Sequence, residues 1–133
     1  MCVFCKIVDG SIPSYKIYED QTCLAFLDIS QVTLGHCLVI PKKHFENIFE
    51  IDEKTASILF ENVVKIAKML KQNLNVENIN ILNNNGKLAY QSVIHFHIHL
   101  IPRSENDNFT ISFPTNKLTQ TEFIELKEKI TKK

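Results

Sequence analysis

Several features are scarce in this sequence, and each absence narrows what the chain can be. It contains no tryptophan, only three glycines and four prolines, and no excess of charge, with 15 basic against 15 acidic residues. So little glycine and proline excludes collagen-like and low-complexity chains. Without net positive charge there is no long-range attraction for nucleic acid or an acidic membrane surface, so binding to neither is expected.

Long apolar runs are also absent. No run approaches the roughly 20 residues that span a bilayer, so no membrane association is expected. The N-terminal residues lack the charged and apolar regions of a signal peptide. Taken together, these absences predict a cytoplasmic protein.

What is present is the composition of one ordinary domain. With 133 residues, of which 44% are hydrophobic, the chain suits a single domain over residues 1–133. Disulfides are not expected in a reducing compartment. Cys23 and Cys37 lie in apolar runs and are expected in the core, whereas Cys2 and Cys5 form a C-x-x-C pair that indicates metal or redox chemistry.

Apolar periodicity predicts an α+β domain with an antiparallel five-stranded sheet, one long helix and a C-terminal helix. Asp52 is the expected N-cap of the long helix, which ends near Leu74. Its amphipathic stripe consists of Leu59, Val63, Ile66 and Leu70. Thr119 and Glu122 form a capping box that predicts the last helix. The expected strands are 15–19, 23–27, 36–40, 78–82 and 93–101, and one helical turn is expected at 4–8.

Three histidines alternate with apolar residues shortly before Pro102. Side chains alternate faces in a strand, so His95, His97 and His99 are expected to share one face and line a cleft. A neutral imidazole can attack phosphorus, and a protonated one can neutralise a phosphate or deliver a proton. A set in mixed protonation states therefore suits phosphoryl or nucleotidyl transfer. Alternate histidines can also chelate zinc, so a metal-only role stays open at this point.

These residues carry a family resemblance that covers roughly residues 2–103. The run His95-Phe-His97-Ile-His99-Leu-Ile resembles the signature of the histidine triad (HIT) family, in particular its small bacterial members and the histidine triad nucleotide-binding proteins. Supporting segments follow in the family's order: Phe4-Cys5-Lys6-Ile7, Ile12-Pro13, 24–29, 35–44, 83–86 and Gln91-Ser92. The resemblance implies the HIT-like fold for this core, with no contacts carried over to the tail and helix in 104–133.

The resemblance implies a nucleotide hydrolase or transferase acting on the α-phosphate of nucleoside phosphoramidates or dinucleoside polyphosphates. His97 is expected to form a covalent nucleotidyl-histidine that water then hydrolyses, with His99 on the phosphate oxygens. Ser92 is expected on the phosphate or leaving group, and Asp28 on the ribose hydroxyls. The remaining implied contacts are Asn84 and Gln91 for the phosphate and Phe4, Ile7, Ile12, Phe26 and Ile29 for the base.

The resemblance further implies a purine nucleotide as substrate or product, and a homodimer that pairs long helices and sheet edges. By the same resemblance, the chemistry is expected to require no cofactor. One departure concerns Leu88-Ala89-Tyr90, which stand before Gln91 where the family commonly has small residues. The leaving-group preference therefore stays open.

The C-x-x-C pair has the spacing of a zinc half-site, and the resemblance supplies the other half. Several small bacterial members, and the related galactose-1-phosphate uridylyltransferases, use two cysteines, a histidine and the first triad histidine. By that resemblance a structural zinc is expected on Cys2, Cys5, His44 and His95. His36 is expected to be a buried partner of the triad strand.

Two other functions stay open at the level of sequence. One is a purine-nucleotide-binding regulatory protein with little turnover, and the other is a zinc-centred redox or scaffold module built on Cys2 and Cys5. Of the three hypotheses the enzyme is favoured, because a protein that only binds nucleotides has no need of an accessible nucleophilic side chain.

Overall fold

The computed structural model describes residues 1–133, and its elements follow the apolar pattern of the sequence. None of its helices is sufficiently long and apolar to cross a bilayer. The elements are α1 (Val3–Val8), β1 (Lys16–Glu19), β2 (Cys23–Leu27), β3 (Cys37–Pro41), α2 (Glu53–Leu74), β4 (Asn78–Leu82), β5 (Ile98–Arg103) and α3 (Gln120–Thr131). The predicted α+β architecture, with five strands, one long helix and a C-terminal helix, is confirmed.

The five strands form one antiparallel sheet in the order β1-β2-β3-β5-β4. β3 and β5 are therefore interior strands, and β4 is an edge. His99 lies opposite Leu38 of β3 on one side and Leu82 of β4 on the other. This double pairing holds the last triad histidine in the middle of the sheet.

Strand alternation divides the core between the two faces of the sheet. One set of strand residues, including Ala25, Val39 and Leu100, packs with the predicted stripe of α2. The other set packs against Phe4 and Ile7 of α1. Cys23 and Cys37 are fully buried, as predicted. Because α1 is only six residues long, it covers part of the second face and leaves space beside it.

The helix ends confirm the capping predictions. The Asp52 carboxylate accepts a hydrogen bond from the Thr55 backbone N–H at 2.9 Å, and α2 ends at Asn75 in the left-handed conformation. In α3, the Thr119 hydroxyl and the Glu122 carboxylate each bond the other's backbone N–H.

The last strand differs from its prediction. A start at Val93 and an end before Pro102 were expected, but β5 begins at Ile98 and continues to Arg103. Before Ile98, backbone groups bond to residues outside the sheet instead of to a neighbouring strand. The Phe96 N–H donates to Phe45 O at 2.7 Å, and the Asn83 side chain donates to His97 O at 2.9 Å. His95 and His97 therefore precede the strand, and only His99 lies within it.

Candidate active site and metal centre

A cavity of about 580 Å³ opens between α1, the end of β2 and the triad segment. Its walls are mainly apolar, as suits an aromatic base, and a carboxylate, several hydroxyls and two imidazoles lie among them. Nine of the predicted site residues line it: Phe4, Ile7, Ile12, Phe26, Asp28, Ile29, Ser92, His97 and His99. Val3, Tyr15 and Val93 also line it, and the sequence analysis did not assign them.

Two predicted phosphate contacts are not brought to this cavity. Gln91 is buried, and its amide bonds only to backbone: it accepts from the Gly86 N–H at 2.9 Å and donates to Glu46 O at 2.6 Å. Asn84 is half-buried and does not line the cavity. Gln91 therefore fastens the loop before the triad to the loop after β3.

His97 is the most enclosed polar group of the cavity, with 2% of its surface exposed. Its Nδ1 lies 2.7 Å from the His95 carbonyl oxygen. Because a carbonyl only accepts, Nδ1 carries the hydrogen and Nε2 keeps the lone pair. Burial lowers the pKa of His97, which favours the neutral ring. This tautomer is the one that a nucleophilic Nε2 requires.

His99 is held in the opposite tautomer by His36. The Val32 backbone N–H donates to His36 Nδ1 at 3.3 Å, so the hydrogen of the neutral His36 ring sits on Nε2. That nitrogen lies 2.9 Å from His99 Nδ1 and donates to it. His99 therefore carries its own hydrogen on Nε2 and offers a donor. Burial, followed by the neighbouring His97 and His36, lowers the pKa of His99 to about 4.

The histidine pattern predicts mixed protonation states for the triad, whereas the geometry shows a difference in tautomer. His97 and His99 are adjacent, with ring centroids 4.9 Å apart, and lowered pKa values favour the neutral form of each. They differ in tautomer, so one presents a lone pair and the other an N–H. Such a pair can attack phosphorus while hydrogen-bonding its oxygens.

Asp28 stands at the rim of the cavity. One carboxylate oxygen accepts from the Ser30 backbone N–H at 2.8 Å, and the other lies 3.6 Å from His36 Nε2. Its side chain is about one-fifth exposed, so it can accept hydrogen bonds from a ligand.

The four predicted metal ligands form a compact cluster beside the cavity. Cys2, Cys5 and His44 surround the buried His95, and the six distances among the sulfurs and Nδ1 atoms run from 3.1 to 3.6 Å. With metal–ligand distances of about 2.3 Å for sulfur and 2.0–2.1 Å for nitrogen, the ligands of a tetrahedral zinc lie roughly 3.3–3.8 Å apart. The set fits such an ion with a contraction of a few tenths of an ångström.

The tautomer of His95 supports the same conclusion. Its Nε2 donates to the Pro41 carbonyl at 2.8 Å, so Nδ1 carries the lone pair and points at the two cysteines. When one ring nitrogen of a histidine binds a metal, the other usually donates a hydrogen bond to a carbonyl or carboxylate, which fixes the tautomer and the ring orientation.

Sequence reasoning missed one positioning residue, Asn83. Its amide donates to the His97 carbonyl at 2.9 Å and accepts from Asn85 at 2.6 Å. The run Asn83-Asn84-Asn85 signalled only a loop, since several asparagines in a row are typical of turns.

The comparisons with known proteins agree with this geometry. The model of the HIT domain matches residues 9–106. The Schizosaccharomyces pombe protein named adenosine 5'-monophosphoramidase hnt1 is 38% identical over 133 residues, covering 99% of this chain and 97% of that protein.

Two solved structures are similar as well. SMU.412c of Streptococcus mutans is 48% identical and superposes with a TM-score of 0.95, covering 98% of this chain and 83% of its own. A zinc-bound histidine triad family protein of Mycobacterium smegmatis is 37% identical, with a TM-score of 0.78, and covers 86% of this chain and 84% of its own.

Proposed function

The chain belongs to the HIT domain family, and from that membership we propose that it is a nucleotide hydrolase whose reaction passes through a nucleotidyl adduct on His97. The Schizosaccharomyces pombe relative, which is named an adenosine 5'-monophosphoramidase, supports the proposal of nucleotide hydrolysis. The observation that carries the proposal is the His97 ring, whose Nδ1–H is tied to the His95 carbonyl while its other nitrogen remains a base inside the cavity.

The proposed substrate is a nucleoside phosphoramidate. His97 Nε2 attacks the α-phosphorus, a bond forms between nitrogen and phosphorus, and the bond to the leaving amine breaks. The amine takes a proton from water at the exposed Ser92 side of the cavity. Water then attacks phosphorus, the bond to His97 breaks, and a nucleoside monophosphate leaves. His99 donates its Nε2–H to the phosphate oxygens in both steps.

The rest of the cavity suits the nucleoside. Phe4 and Phe26, with ring centroids 5.6 Å apart, form an apolar wall for the base. Asp28, at the end of β2, is proposed to accept from the two ribose hydroxyls. An apolar wall discriminates weakly between purines, so hydrolysis of both adenine and guanine nucleotides is expected.

The experiment is hydrolysis of adenosine 5'-phosphoramidate by the wild type and by His97→Ala. We expect kcat/KM to fall by more than about a thousandfold, because the nucleophile is removed. In the wild type, a sample quenched in alkali should carry the mass of one nucleotidyl group on the peptide that contains His97. Retained binding of adenosine monophosphate shows that the variant is folded.

Two outcomes contradict this proposal. Equal rates in wild type and His97→Ala would remove His97 as nucleophile. Nucleotide binding by the wild type, with no turnover of phosphoramidates or dinucleoside polyphosphates, would instead favour a regulatory nucleotide-binding protein.

We also propose that the Cys2, Cys5, His44 and His95 cluster holds one zinc ion. All four positions are filled by protein, so the ion is structural and supplies rigidity rather than a bound nucleophile. The zinc-bound relative and the tautomer of His95 support this assignment. Elemental analysis should give about one zinc per chain in wild type and well below one in Cys5→Ser.

A further inference from the structure

The four cysteines divide into a buried pair and a pair that water can reach. Cys23 and Cys37 are fully buried, and the sheet register keeps them apart, because Cys23 lies opposite Pro41, at the other end of β3 from Cys37. Four residues along a strand span roughly 13 Å, which is too far for a disulfide. Cys2 and Cys5 are partly exposed, and their sulfurs lie 3.3 Å apart. Within this chain, only the second pair is placed to form a disulfide.

The short helix α1 sets the two exposed sulfurs side by side. Cys2 is its N-cap and Cys5 is its third residue, and side chains three positions apart are neighbours on a helix. The Cys5 backbone N–H donates to the Cys2 sulfur at 3.3 Å, which holds that sulfur beside the first turn. Since a disulfide joins sulfurs at about 2.05 Å, its formation needs the two sulfurs to approach by only about 1.3 Å.

The same two sulfurs are half of the proposed zinc site. The Nδ1 atoms of His44 and His95 supply the other half, at 3.3 to 3.6 Å from the sulfurs. A cysteine that binds zinc is a thiolate, and exposed thiolates are the form of cysteine that peroxides oxidise. A disulfide carries no negative charge for the metal, so its formation leaves two histidines, too few for a closed zinc site. Metal binding and disulfide formation therefore exclude each other.

We propose that Cys2 and Cys5 are a site of reversible oxidation, at which a peroxide replaces the zinc by a disulfide and so loosens the nucleotide cavity. This inference rests on the proposed zinc and does not depend on the proposed catalysis. In a reducing compartment the pair stays reduced and holds the metal.

The oxidation takes place in two steps. The first thiolate attacks one oxygen of hydrogen peroxide, the O–O bond breaks, hydroxide leaves and a sulfenic acid forms. The second thiolate attacks that sulfur, the S–S bond forms and a second hydroxide leaves. Two electrons pass from the two thiolates to one peroxide, and Zn²⁺ leaves with its charge unchanged.

The effect reaches the cavity through α1. Zinc ties this helix to His44 and His95, whereas a disulfide joins the helix only to itself. Phe4 of the helix forms part of the cavity wall, and its ring centroid lies 5.1 Å from that of His97. Because a helix of six residues is not stable on its own, the loss of this tie is expected to loosen the wall and weaken nucleotide binding.

The test treats the zinc-loaded, full-length wild type with excess hydrogen peroxide. After free thiols are blocked, mass spectrometry reads the pair directly, because trypsin releases residues 1–6 as one peptide with both cysteines. We expect that peptide to become lighter by two hydrogen atoms, and a zinc-sensitive dye to detect about one zinc ion released per disulfide. The dissociation constant for adenosine monophosphate should rise about tenfold. A dithiol reductant with added zinc should reverse all three changes.

Cys5→Ser is the matched control, because it keeps Cys2 and cannot form the disulfide. Peroxide should leave the nucleotide affinity of this variant at the value it had before treatment, which shows that the loss in the wild type does not come from oxidation elsewhere. The tryptic peptide 17–42, which contains Cys23 and Cys37, should remain fully reduced in both proteins.

Three results overturn the proposal: zinc that stays bound while residues 1–6 remain reduced, a disulfide in residues 1–6 that leaves the nucleotide affinity unchanged, or an equal loss of affinity in Cys5→Ser. A wild type that holds no zinc before treatment overturns the metal assignment and this inference with it. None of these measurements uses turnover, so a failure of the proposed catalysis is detected separately.

Discussion

Each histidine of the triad is assigned its task by the group that its second nitrogen touches. His97 donates to a backbone carbonyl, His99 accepts from His36, and His95 donates to Pro41. The first contact leaves a lone pair inside the cavity, the second leaves an N–H donor, and the third leaves a lone pair that points at the two cysteines. At the residue scale, chemically identical side chains are thus suited to three different proposed roles, because their neighbours fix three hydrogen positions.

The sequence was sufficient to predict which residues form the site, but not which role each histidine has in it. Alternation placed the histidines together, and the resemblance selected His97. Two of the three partners that fix the tautomers, Pro41 of β3 and His36 in the turn before it, are distant in sequence, whereas the partner of His97 is the carbonyl of His95, close by in the chain. A hydrogen position depends on three-dimensional contacts, so no local pattern carries it.

His36 is a positioning residue in this arrangement, and its substitution tests the tautomer of His99. We expect His36→Leu to lower kcat by roughly tenfold to a hundredfold, the effect of losing one buried hydrogen bond at a reacting group. His36→Gln retains an N–H donor and should recover part of the rate. Steady-state kinetics at saturating nucleoside phosphoramidate provide the measurement.

The pH profile separates positioning from a general loss of structure. In the wild type, His36 is one of the groups that lower the pKa of His99, which lies at about 4. Removing His36 raises that pKa towards its ordinary value, so the acid limb of the rate profile should move to higher pH in His36→Leu. An unchanged acid limb with a lower melting temperature would assign His36 a purely structural role.

At the scale of elements, the site depends on the turn that brings β3 under the triad segment. Gly35 precedes His36 with a φ of +98°, and a Cβ at this position would lie 2.6 Å from Leu74 Cδ1 at the end of α2. It would also lie 3.2 Å from Pro102 of β5. The Leu74 atom is the free end of a flexible, half-exposed side chain and can move aside, whereas the Pro102 ring is rigid, so the positive φ and the contact with Pro102 are what favour glycine here.

Gly35→Ala is therefore expected to destabilise the protein by about 2–3 kcal/mol, from left-handed strain together with the tight contact with Pro102. Gly10→Ala is the matched control: Gly10 also has a positive φ, of +85°, but nothing lies within 4 Å of its added Cβ. The control should lose only about 1–2 kcal/mol, from backbone strain alone. Urea unfolding measures both, and equal losses in the two variants would show that close packing at Gly35 contributes nothing.

Element boundaries show where pattern-based prediction failed. The long helix and β4 have the boundaries predicted from apolar spacing and a cap. The triad segment also alternates, yet its first half is not strand, because Phe45 and Asn83 supply the hydrogen bonds that a ladder would have made. Alternation reports which side chains face the core, and it does not report whether a neighbouring strand is present to pair with.

At the scale of the whole molecule, the cluster of Cys2, Cys5, His44 and His95 joins the first residues of the chain to the segment that carries His97. Cys2 is the N-cap of α1 and Cys5 lies within it. Phe4 of the same helix forms part of the cavity wall and contacts the His97 ring at a centroid distance of 5.1 Å. A helix of six residues cannot hold this place by itself. The proposed zinc is thus expected to stabilise the molecule and to complete the cavity at the same time.

Removal of the metal should lower the melting temperature of the wild type. A ligand that binds only the folded state at about a thousandfold above its dissociation constant adds about 4 kcal/mol, which corresponds to roughly 15 °C for a chain of this size. Adding zinc back to chelator-treated protein should restore the transition, whereas Cys5→Ser should melt at the lower temperature with or without zinc. Calorimetry of these samples measures the effect.

Thiol labelling of the same samples locates the change. Without metal, Cys2 and Cys5 are partly exposed and should react with a thiol reagent at pH 8, whereas the metal-loaded protein should be protected. Cys23 and Cys37 should stay unlabelled in both states, because they are fully buried and burial raises the pKa of Cys37 to about 12. If all four cysteines become labelled after chelation, the metal is required for the whole fold. If Cys2 and Cys5 are labelled equally with and without the metal, they are not its ligands.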